Sequence, residues 1–339
     1  MRYIGSKVRI LDFIEDVISD TYGNDINATF ADLFSGTVSV AEHFKKKGYR
    51  IITNDYLHFS YSLQVAKIKI NEIPKCDIEY LEAIDTLNAQ IGYDGFFFQN
   101  YTLRGTEHAV YKRNYFSYEN ASKIDAVCLK LQKWQSDGII DSDMFHLLSA
   151  GLIDGISKVS NTSGTYGAFL KNDDARKYKN LMITPLEIIS NEKYNECYCR
   201  DIVDLIGYVK GDILYLDPPY NSRQYPPYYH ILETAVLYDH PEIYGITGRR
   251  RYDDKLSLFC MKEKALPALL DVVKKAEFKH IYISYSTDGI IPYKNLIHSL
   301  KEYGTVECFF HDYRRYKSND GGSQHSSLRE IIIYVKKHG

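Results

Sequence analysis

The chain has 339 residues, 45% of them hydrophobic and 25% charged, with a formal net charge of −2 at pH 7. This composition excludes a disordered, collagen-like or coiled-coil chain, and the length favours two domains or one large domain with an insertion. No apolar run reaches the ~18–20 residues of a membrane helix, and the start MRYIGSKVRI lacks a secretory signal, so we expect a cytoplasmic protein without a membrane segment. Six cysteines without metal-ligand spacing predict buried free thiols and no metal site.

The N-terminal part of the chain predicts a β-α-β unit. VRILDFIEDVIS (8–19) has apolar residues at helical spacing, and the apolar run TFADLF (29–34) reads as a strand that ends at Ser35 and Gly36. VSVAEHFKKKGY (38–49) predicts a helix with lysines in its last turn and Gly48 just beyond it. RIITND (50–55) is then a second strand, which places a glycine at the first strand-to-helix junction.

From residue 57 to residue 190 the apolar spacing is mostly helical, and the loop at 161–180 is rich in Gly, Ser, Asn and Lys. Strand patterns then resume, with ILYL (213–216) among them, whereas the tyrosine-rich tract 225–254 reads as irregular. The simplest architecture is an open, mostly parallel α/β sheet built from 1–56 and 191–339, interrupted by a mainly helical insertion at 57–190.

The segment Asp217, Pro218, Pro219 and Tyr220 directly follows the predicted strand 213–216. In an open α/β sheet, ligands bind at the carboxyl ends of the strands. Two prolines remove backbone donors, which leaves carbonyl groups and the Asp217 carboxylate as acceptors for a planar amino group. Tyr220 offers a face on which the ring can stack. The alternative is a strand that ends in a proline turn with Asp217 as a cap.

Three further residues, one glycine and two aspartates, are suited to contact a nucleoside cofactor. Gly36, which opens the helix after the first strand, allows close approach of a backbone to a ligand, or only close packing. Asp55 ends the second strand, where a carboxylate is suited to accept hydrogen bonds from the ribose hydroxyls of a cofactor. A solvated or capping aspartate is the alternative. Asp201 follows the third strand and is suited to accept from an adenine amino group or to cap a helix.

The order of these motifs resembles the Dam-like, alpha-group adenine-specific DNA methyltransferases, and in detail the branch of the FokI-type modification methylases. The shared elements are RYIGSK (2–7), DLFSG (32–36), TND (53–55), CRD (199–201) and DPPY (217–220). The features of the branch are NSRQY (221–225), HILET (230–234), YDHP (238–241), SYSTDG (284–289) and YRRYKS (313–318). The resemblance spans nearly the whole chain.

The resemblance implies a Rossmann-like methyltransferase sheet that uses S-adenosylmethionine, with the insertion reading duplex DNA. It implies that Lys7 pairs with the methionine carboxylate, and that Val38 stands where the family has a second glycine. It also implies that the target adenine is flipped out of the duplex. The cofactor candidates it supplies, together with those above, are Tyr3, Gly5, Ser6, Lys7, Phe34, Ser35, Gly36, Asp55, Asp201 and Asp217.

Basic and aromatic residues after the DPPY segment and near the C-terminus are candidates for DNA contact. Arg223 and Tyr225, with Tyr228 and Tyr229, are suited to line the base pocket or fill the vacated space, or else to pack over the sheet edge. Arg314, Arg315 and Lys317 form a basic cluster suited to phosphates, although a solvated strand end is an equally simple account.

The resemblance implies methyl transfer to the 6-amino group of adenine in a specific site, and is compatible with a cognate restriction endonuclease that acts separately. The 4-amino group of cytosine is an alternative target with nearly the same chemistry, against which the Asp at position 217 argues. A DNA-binding regulator without turnover is a second alternative, and the intact Asp217 and Lys7 argue against it. A nicotinamide dehydrogenase fits poorly, because no Gly-x-Gly-x-x-Gly follows the first strand.

Overall fold

The computed structural model describes residues 4–312 and 329–338. Its centre is a seven-stranded sheet in the order β3-β2-β1-β4-β7-β9-β8. A separate two-stranded hairpin is formed by β5 and β6. The strands are β1 Thr29–Asp32, β2 Arg50–Asp55, β3 Glu196–Cys199, β4 Lys210–Leu216, β5 Ile243–Tyr244, β6 Arg249–Arg250, β7 Glu277–Ser286, β8 Gly304–Asp312 and β9 Arg329–Lys337.

The first five strands of the sheet run parallel, and β9 and β8 add an antiparallel edge. β1 and β4 are neighbours, but the chain continues from β1 to β2 on one side and from β4 to β7 on the other, so the strand order reverses between them. Such a reversal of strand order opens a crevice at the carboxyl ends of the strands. The predicted mostly parallel α/β sheet is therefore confirmed.

Both faces of the sheet are covered, because successive side chains of a strand point to opposite faces. Phe30 of β1 packs with α1 Leu11–Thr21 and α2 Ser39–Lys46 in one hydrophobic cluster. Ala31, the next residue, belongs to a second cluster with α8 Ile202–Leu205, α10 Lys262–Lys275 and α11 Tyr293–Leu300. The near-continuous apolar runs of these strands follow from burial on both faces.

The segment 57–190 contributes helices to the structure. They are α3 His58–Gln64, a π-helix at Val65–Lys69, α4 Tyr80–Asn88, α5 Phe96–Tyr101, α6 Tyr118–Ser136 and α7 Ser142–Val159. Their buried residues belong to the same hydrophobic cluster as α1, α2 and one face of the sheet. The insertion therefore has no core of its own, and its boundaries at 57 and 190 as a domain remain a prediction.

The tract 225–254, predicted to be irregular, contains the helix α9 Pro226–Leu237 followed by the β5–β6 hairpin. The expectation was wrong because α9 is buried almost all round, so the apolar and polar residues do not alternate with a helical period. His230, Glu233 and Thr234 are as buried as Tyr229 and Leu232. The prolines at the first two positions of α9 suit a helix start, since the first backbone N–H groups have no partner within the helix.

All six cysteines are free thiols, as predicted, but only Cys128 and Cys260 are buried, whereas the other four are partly exposed. Among the helices of residues 4–312 and 329–338, none combines the length and the hydrophobicity that crossing a bilayer requires. The same residues contain no group of His, Cys, Asp and Glu side chains arranged to hold a metal ion.

Candidate active site

A cleft opens at the carboxyl ends of β1, β2 and β4, and its empty space, counting the open mouth, is about 810 Å³. Asp217 lines this cleft and also a smaller adjoining pocket. Of the predicted site residues, the cleft is lined by Gly5, Phe34, Asp55, Asp201, Asp217, Pro219 and Tyr225. The smaller pocket is lined by Gly5, Ser6, Lys7, Phe34, Ser35, Gly36 and Asp217. The structure thus brings together motifs that are far apart in the sequence.

The turn after β1 approaches β2 closely. The backbone N–H of Gly36 donates to Oδ2 of Asp55 at 2.9 Å, and that of Ser35 donates to the carbonyl of Asn54 at 3.0 Å. Gly36 has a φ of 51°, and Val38, which is fully buried, has a φ of 60°. Val38 therefore adopts the left-handed conformation that a glycine would take without cost, and the β-branched side chain makes this conformation strained.

Both acidic cofactor candidates also organise the local backbone. Oδ1 of Asp55 accepts from the N–H of Leu57 at 3.0 Å in addition to the bond from Gly36. Burial raises the pKa of Asp55, although these backbone bonds oppose the rise. Asp201 caps α8, because its Oδ1 accepts from the N–H of Val203 at 3.0 Å. Asp201 therefore caps a helix, as the alternative in the sequence analysis predicts, and a contact between Asp201 and a cofactor remains a prediction.

The N-terminal loop is held over the cleft by two tyrosines of the α9 region. The N–H of Ile4 donates to the hydroxyl of Tyr229 at 2.8 Å. Gly5 has a φ of +78°, and a Cβ atom added there would lie 3.4 Å from the hydroxyl of Tyr225. The Tyr225 ring stacks on that of Tyr229 at a centroid distance of 6.3 Å. Gly5 therefore combines a left-handed backbone with a close approach to an aromatic wall.

Lys7 forms the centre of a buried charge cluster and is only 4% exposed. Its Nζ lies 3.2 Å from Oδ1 of Asp217 and 3.1 Å from Oε2 of Glu330. Burial alone would lower the pKa of Lys7, but the two carboxylates outweigh it and raise that pKa. Burial raises the pKa of Asp217 to about 6, and Lys7 opposes this rise. The expected pairing of Lys7 with a methionine carboxylate remains a prediction, since two protein carboxylates already contact its ammonium group.

The DPPY segment lies directly after β4, as predicted. The carbonyl of Tyr220 accepts from the N–H of Ile290 at 2.9 Å, which anchors the segment to the loop after β7. The Tyr220 ring lies 5.4 Å from Nζ of Lys7 and packs edge-on against Tyr285 at 6.1 Å. Pro218 and Tyr220 are not among the residues that line the two cavities, although both neighbours of Pro218 in the chain line the larger one.

Beside Asp217, Oδ1 of Asp32 is a buried polar atom without a hydrogen-bond partner among the described residues. Burial raises the pKa of Asp32 well above its ordinary value, and the charge of Asp217 adds to this rise. Asp32 also lines the smaller pocket. A buried carboxylate oxygen without a donor is costly, so this pocket is suited to a ligand that carries N–H groups or positive charge.

A segment between β6 and α10 covers the outer wall of the cleft. Lys255 of this segment donates to the carbonyl of Tyr56 at 3.0 Å and to Oε1 of Glu233 at 3.1 Å. His58 lies 2.8 Å from the same carboxylate oxygen. Further along the segment, Phe259 packs edge-on against Phe34 at 5.0 Å. The cleft is therefore closed on this side by a salt-bridged cluster and an aromatic contact.

The predicted DNA-contact residues are only partly described. Arg223 is exposed, and Tyr225 lines the cleft. Tyr228 is half-buried and Tyr229 is buried in the core, so Tyr229 packs rather than faces a base pocket. Arg314, Arg315 and Lys317, and the cofactor candidate Tyr3, lie outside the described residues.

Several residues of the site were not anticipated from the sequence. Asp32 begins the DLFSG motif, so its place at the end of the first strand was a usable signal. Tyr56, Lys255 and Phe259 lie on segments without a recognisable pattern. Glu330 lies near the start of the strand β9, and a strand pattern does not reveal which end of the strand faces the site.

Comparison with known proteins identifies the family. A family model described as D12 class N6 adenine-specific DNA methyltransferase matches residues 3–298. The chain is similar to the type II methyltransferase M.FokI of Planomicrobium okeanokoites, at 42% identity over 99% of this chain and 53% of that protein. It is also similar to the modification methylase LlaI of Lactococcus lactis subsp. lactis, at 38% identity over 100% of this chain and 55% of that protein.

The chain thus spans about half the length of these curated relatives. The type II methyltransferase M.NlaIII of Neisseria lactamica is 35% identical over 99% of this chain and 98% of its own length. The predicted resemblance is confirmed by the family model and by these relatives. The chain belongs to the D12 class N6 adenine-specific DNA methyltransferase family.

Proposed function

We propose that this chain transfers a methyl group from S-adenosylmethionine to the exocyclic 6-amino group of an adenine within a specific site of duplex DNA. The observation that carries the proposal is the position of Asp217, which lines both the large cleft and the smaller pocket that holds Lys7 and Gly36. An acceptor for an amino group therefore adjoins the residues suited to a nucleoside cofactor. Membership in the family supports adenine over cytosine as the target.

The residues present fit S-adenosylmethionine, which when bound supplies a methyl group on a positively charged sulfur. The unpartnered Oδ1 of buried Asp32 is suited to accept from the amino group of the methionine part. Asp55 ends β2, where its carboxylate is suited to the ribose hydroxyls. Gly36 allows the backbone to approach, and the remaining candidates Gly5, Ser6, Phe34, Ser35 and Asp201 line the same space.

The chain's own residues orient the target amine. An adenine amino group is a poor nucleophile because its lone pair is delocalised into the ring. The Asp217 carboxylate and the carbonyl groups of the proline pair accept from its two N–H groups, which favours a nitrogen with a localised lone pair. Lys7 fixes Oδ1 of Asp217, and Tyr220 is suited to stack on the ring.

Access to the amine requires the adenine to leave the base stack, which costs a few kcal/mol and is offset by stacking in the pocket and by phosphate contacts. Tyr225 lines the cleft and exposed Arg223 lies two residues before it, which supports a role for both in contact with a flipped base or its backbone. Arg314, Arg315 and Lys317 remain candidates for phosphate contact. We assign recognition of the DNA site to the insertion, and a cognate restriction endonuclease that acts separately fits this function.

The decisive experiment expresses the chain in a host that lacks adenine methylation and maps modified bases along the genome. We expect N6-methyladenine within one short sequence motif, and the same product when purified protein is given duplex DNA and tritiated S-adenosylmethionine. Mass analysis of the nucleosides distinguishes adenine from cytosine as the target. DNA binding without cofactor binding or methyl transfer, beside an active control methylase, would instead indicate a regulator.

A further inference from the structure

Glu330 reaches the site from the antiparallel edge of the sheet. β9 runs antiparallel to β7, so it begins at the edge where β4 and β7 end. Glu330 pairs with Ser286, the last residue of β7, and its Oε2 lies 3.1 Å from Nζ of Lys7. The family model ends at residue 298, so Glu330 lies outside the matched part of the chain. A residue near the C-terminus therefore completes the cluster formed by the N-terminal loop and the DPPY segment.

Lys7, Asp217 and Glu330 together carry a net charge of −1 when all three are ionised. Lys7 is 4% exposed, and its ammonium group contacts one oxygen of each carboxylate. Among residues 4–312 and 329–338, the other titratable groups that interact electrostatically with Asp217 are Asp32 of β1, Tyr215 of β4, and Tyr220 and Tyr225 of the following loop. None of these four is a cation, so Lys7 is the positive partner that the two carboxylates share.

We propose that Glu330 is a positioning residue for methyl transfer. Its carboxylate contacts the Lys7 ammonium group, which therefore interacts less strongly with the Asp217 carboxylate. The Asp217 carboxylate then stays available as the acceptor for the target amine. This inference rests on the proposed function.

The charge of Glu330 sets the direction of its effect on methyl transfer. As the amine attacks the methyl group, positive charge develops on its nitrogen, and a nearby net negative charge stabilises that state. Without the Glu330 charge the cluster becomes neutral, and Lys7 binds Asp217 more strongly. The acceptor is then weaker, and the ionised form of Asp217 is favoured at lower pH.

Glu330 also joins β9 to the N-terminal loop, so a loss of activity on substitution does not by itself separate positioning from stability. The direction in which the Asp217 titration moves does separate them. Loss of a tether that held Lys7 in place would raise the pH at which Asp217 ionises, whereas loss of the Glu330 charge with Lys7 still in place lowers it. Only a lower titration midpoint therefore supports the positioning role. The test therefore combines kinetics with a direct measurement on Asp217.

The variant is Glu330→Gln, and the matched control is Glu307→Gln on the neighbouring strand β8, where the carboxylate is exposed. We expect Glu330→Gln to lower kcat at least tenfold while cofactor affinity and KM for DNA change less than threefold. We also expect the acid limb of kcat/KM to move down by about half a pH unit to one unit. Glu307→Gln should match the unsubstituted protein in all these measurements.

The second measurement is a pH titration of the Asp217 carboxyl carbon by carbon-13 NMR. The signal of this carbon is assigned by its loss in Asp217→Asn. We expect a lower titration midpoint in Glu330→Gln and an unchanged one in Glu307→Gln. Circular dichroism checks that the variants fold. If Glu330→Gln does not fold, Glu330→Asp is titrated instead. We expect Glu330→Asp to lower the titration midpoint of Asp217 by a smaller amount. A midpoint in the folded variant that equals or exceeds that of the unsubstituted protein overturns the role of Glu330. If no DNA is methylated, the proposed function fails, whereas the NMR titration still decides whether Glu330 acts on Asp217.

Discussion

Oδ1 of Asp217 lies 3.2 Å from Nζ of Lys7, which joins the end of β4 to the N-terminal loop across the top of the sheet. The side chain of Asp217 is 18% exposed, whereas that of Lys7 is 5% exposed. A lysine with so little access to water keeps its charge only when nearby groups, such as the carboxylates of Asp217 and Glu330, offset the cost of burial. The contact therefore fixes one oxygen of Asp217 while the residue remains accessible from the cleft.

Replacing Asp217 with Asn should abolish most turnover without abolishing ligand binding. The amide keeps the shape of the side chain but loses the charge that stabilises the developing positive nitrogen, so we expect kcat to fall by about 100-fold or more. Cofactor affinity should change only a few-fold, because the acceptor acts mainly as charge develops. Single-turnover transfer of tritiated methyl groups and calorimetric cofactor binding measure the two quantities.

The matched control for this change is Asp204→Asn, which alters an exposed carboxylate of α8. It should leave kcat and cofactor affinity unchanged. Turnover in Asp217→Asn equal to that of the control would remove Asp217 from the mechanism.

The raised pKa of Asp217 predicts an acid limb in the rate. Burial brings the pKa to about 6, so the carboxylate that we propose as the acceptor for the amine is present above pH 6 and is lost as the pH falls. At one pH unit below the pKa about a tenth of the carboxylate remains, so kcat/KM should be roughly tenfold lower at pH 5 than on its plateau. We expect this dependence in kcat/KM for DNA, which reports the free enzyme; a flat profile from pH 5 to 7 would contradict it.

The DPPY segment and the first β-α-β unit were predictable because their signals are local. ILYL is a continuous apolar run, as a strand buried on both faces requires, and Asp217 follows it directly. The turn at Gly36 combines a strand end with a helix start in a few residues. Since ligands of parallel sheets bind at the carboxyl ends of the strands, the order of these elements was enough to bring Asp55 and Asp217 to one cleft.

The rest of the site depends on contacts between distant parts of the chain, which a local sequence pattern does not predict. α9 is buried almost all round, with polar residues such as His230 and Glu233 among its buried positions, so its sequence shows no alternation with a helical period. The role of Glu330 depends on the direction of β9, which pairing with β7 decides. Lys255 reaches Glu233 and Tyr56 from a single 3-10 turn, Asp253–Lys255, and only the folded chain brings the three residues together.

Val38 predicts an unusual order of stability between alanine and glycine. Val38→Ala keeps the strained left-handed backbone and loses buried methyl groups, which should lower the free energy of unfolding by about 2 kcal/mol. Val38→Gly loses slightly more side chain but relieves about 1–2 kcal/mol of backbone strain. We therefore expect the glycine variant to be at least as stable as the alanine variant in urea denaturation.

Val40 provides the control, because it is also buried but lies within α2. At such a helical position glycine is less stable than alanine by about 1 kcal/mol. The order of the two variants should thus reverse between positions 38 and 40. The same order at both positions would mean that the left-handed conformation of Val38 stores no strain.

Glu233 should add to the free energy of unfolding at neutral pH, and this contribution should be lost in acid. Its carboxylate is 5% exposed and lies 2.8 Å from Nδ1 of His58 and 3.1 Å from Nζ of Lys255. Burial alone would raise the pKa of Glu233, but these partners outweigh it and lower the pKa to about 2. Because the folded-state pKa lies below the unfolded value, the stabilisation is complete above about pH 4.5 and is lost as the pH falls toward 2.

Glu233→Gln removes this titration. From the pKa difference, the stability gap between the unsubstituted protein and the variant should shrink by roughly 3 kcal/mol between pH 5 and pH 2. Urea denaturation at several pH values measures the gap, with Glu263→Gln on the exposed side of α10 as the control that should follow the unsubstituted protein. Parallel curves for Glu233→Gln and the unsubstituted protein would show that His58 and Lys255 do not hold the Glu233 carboxylate ionised.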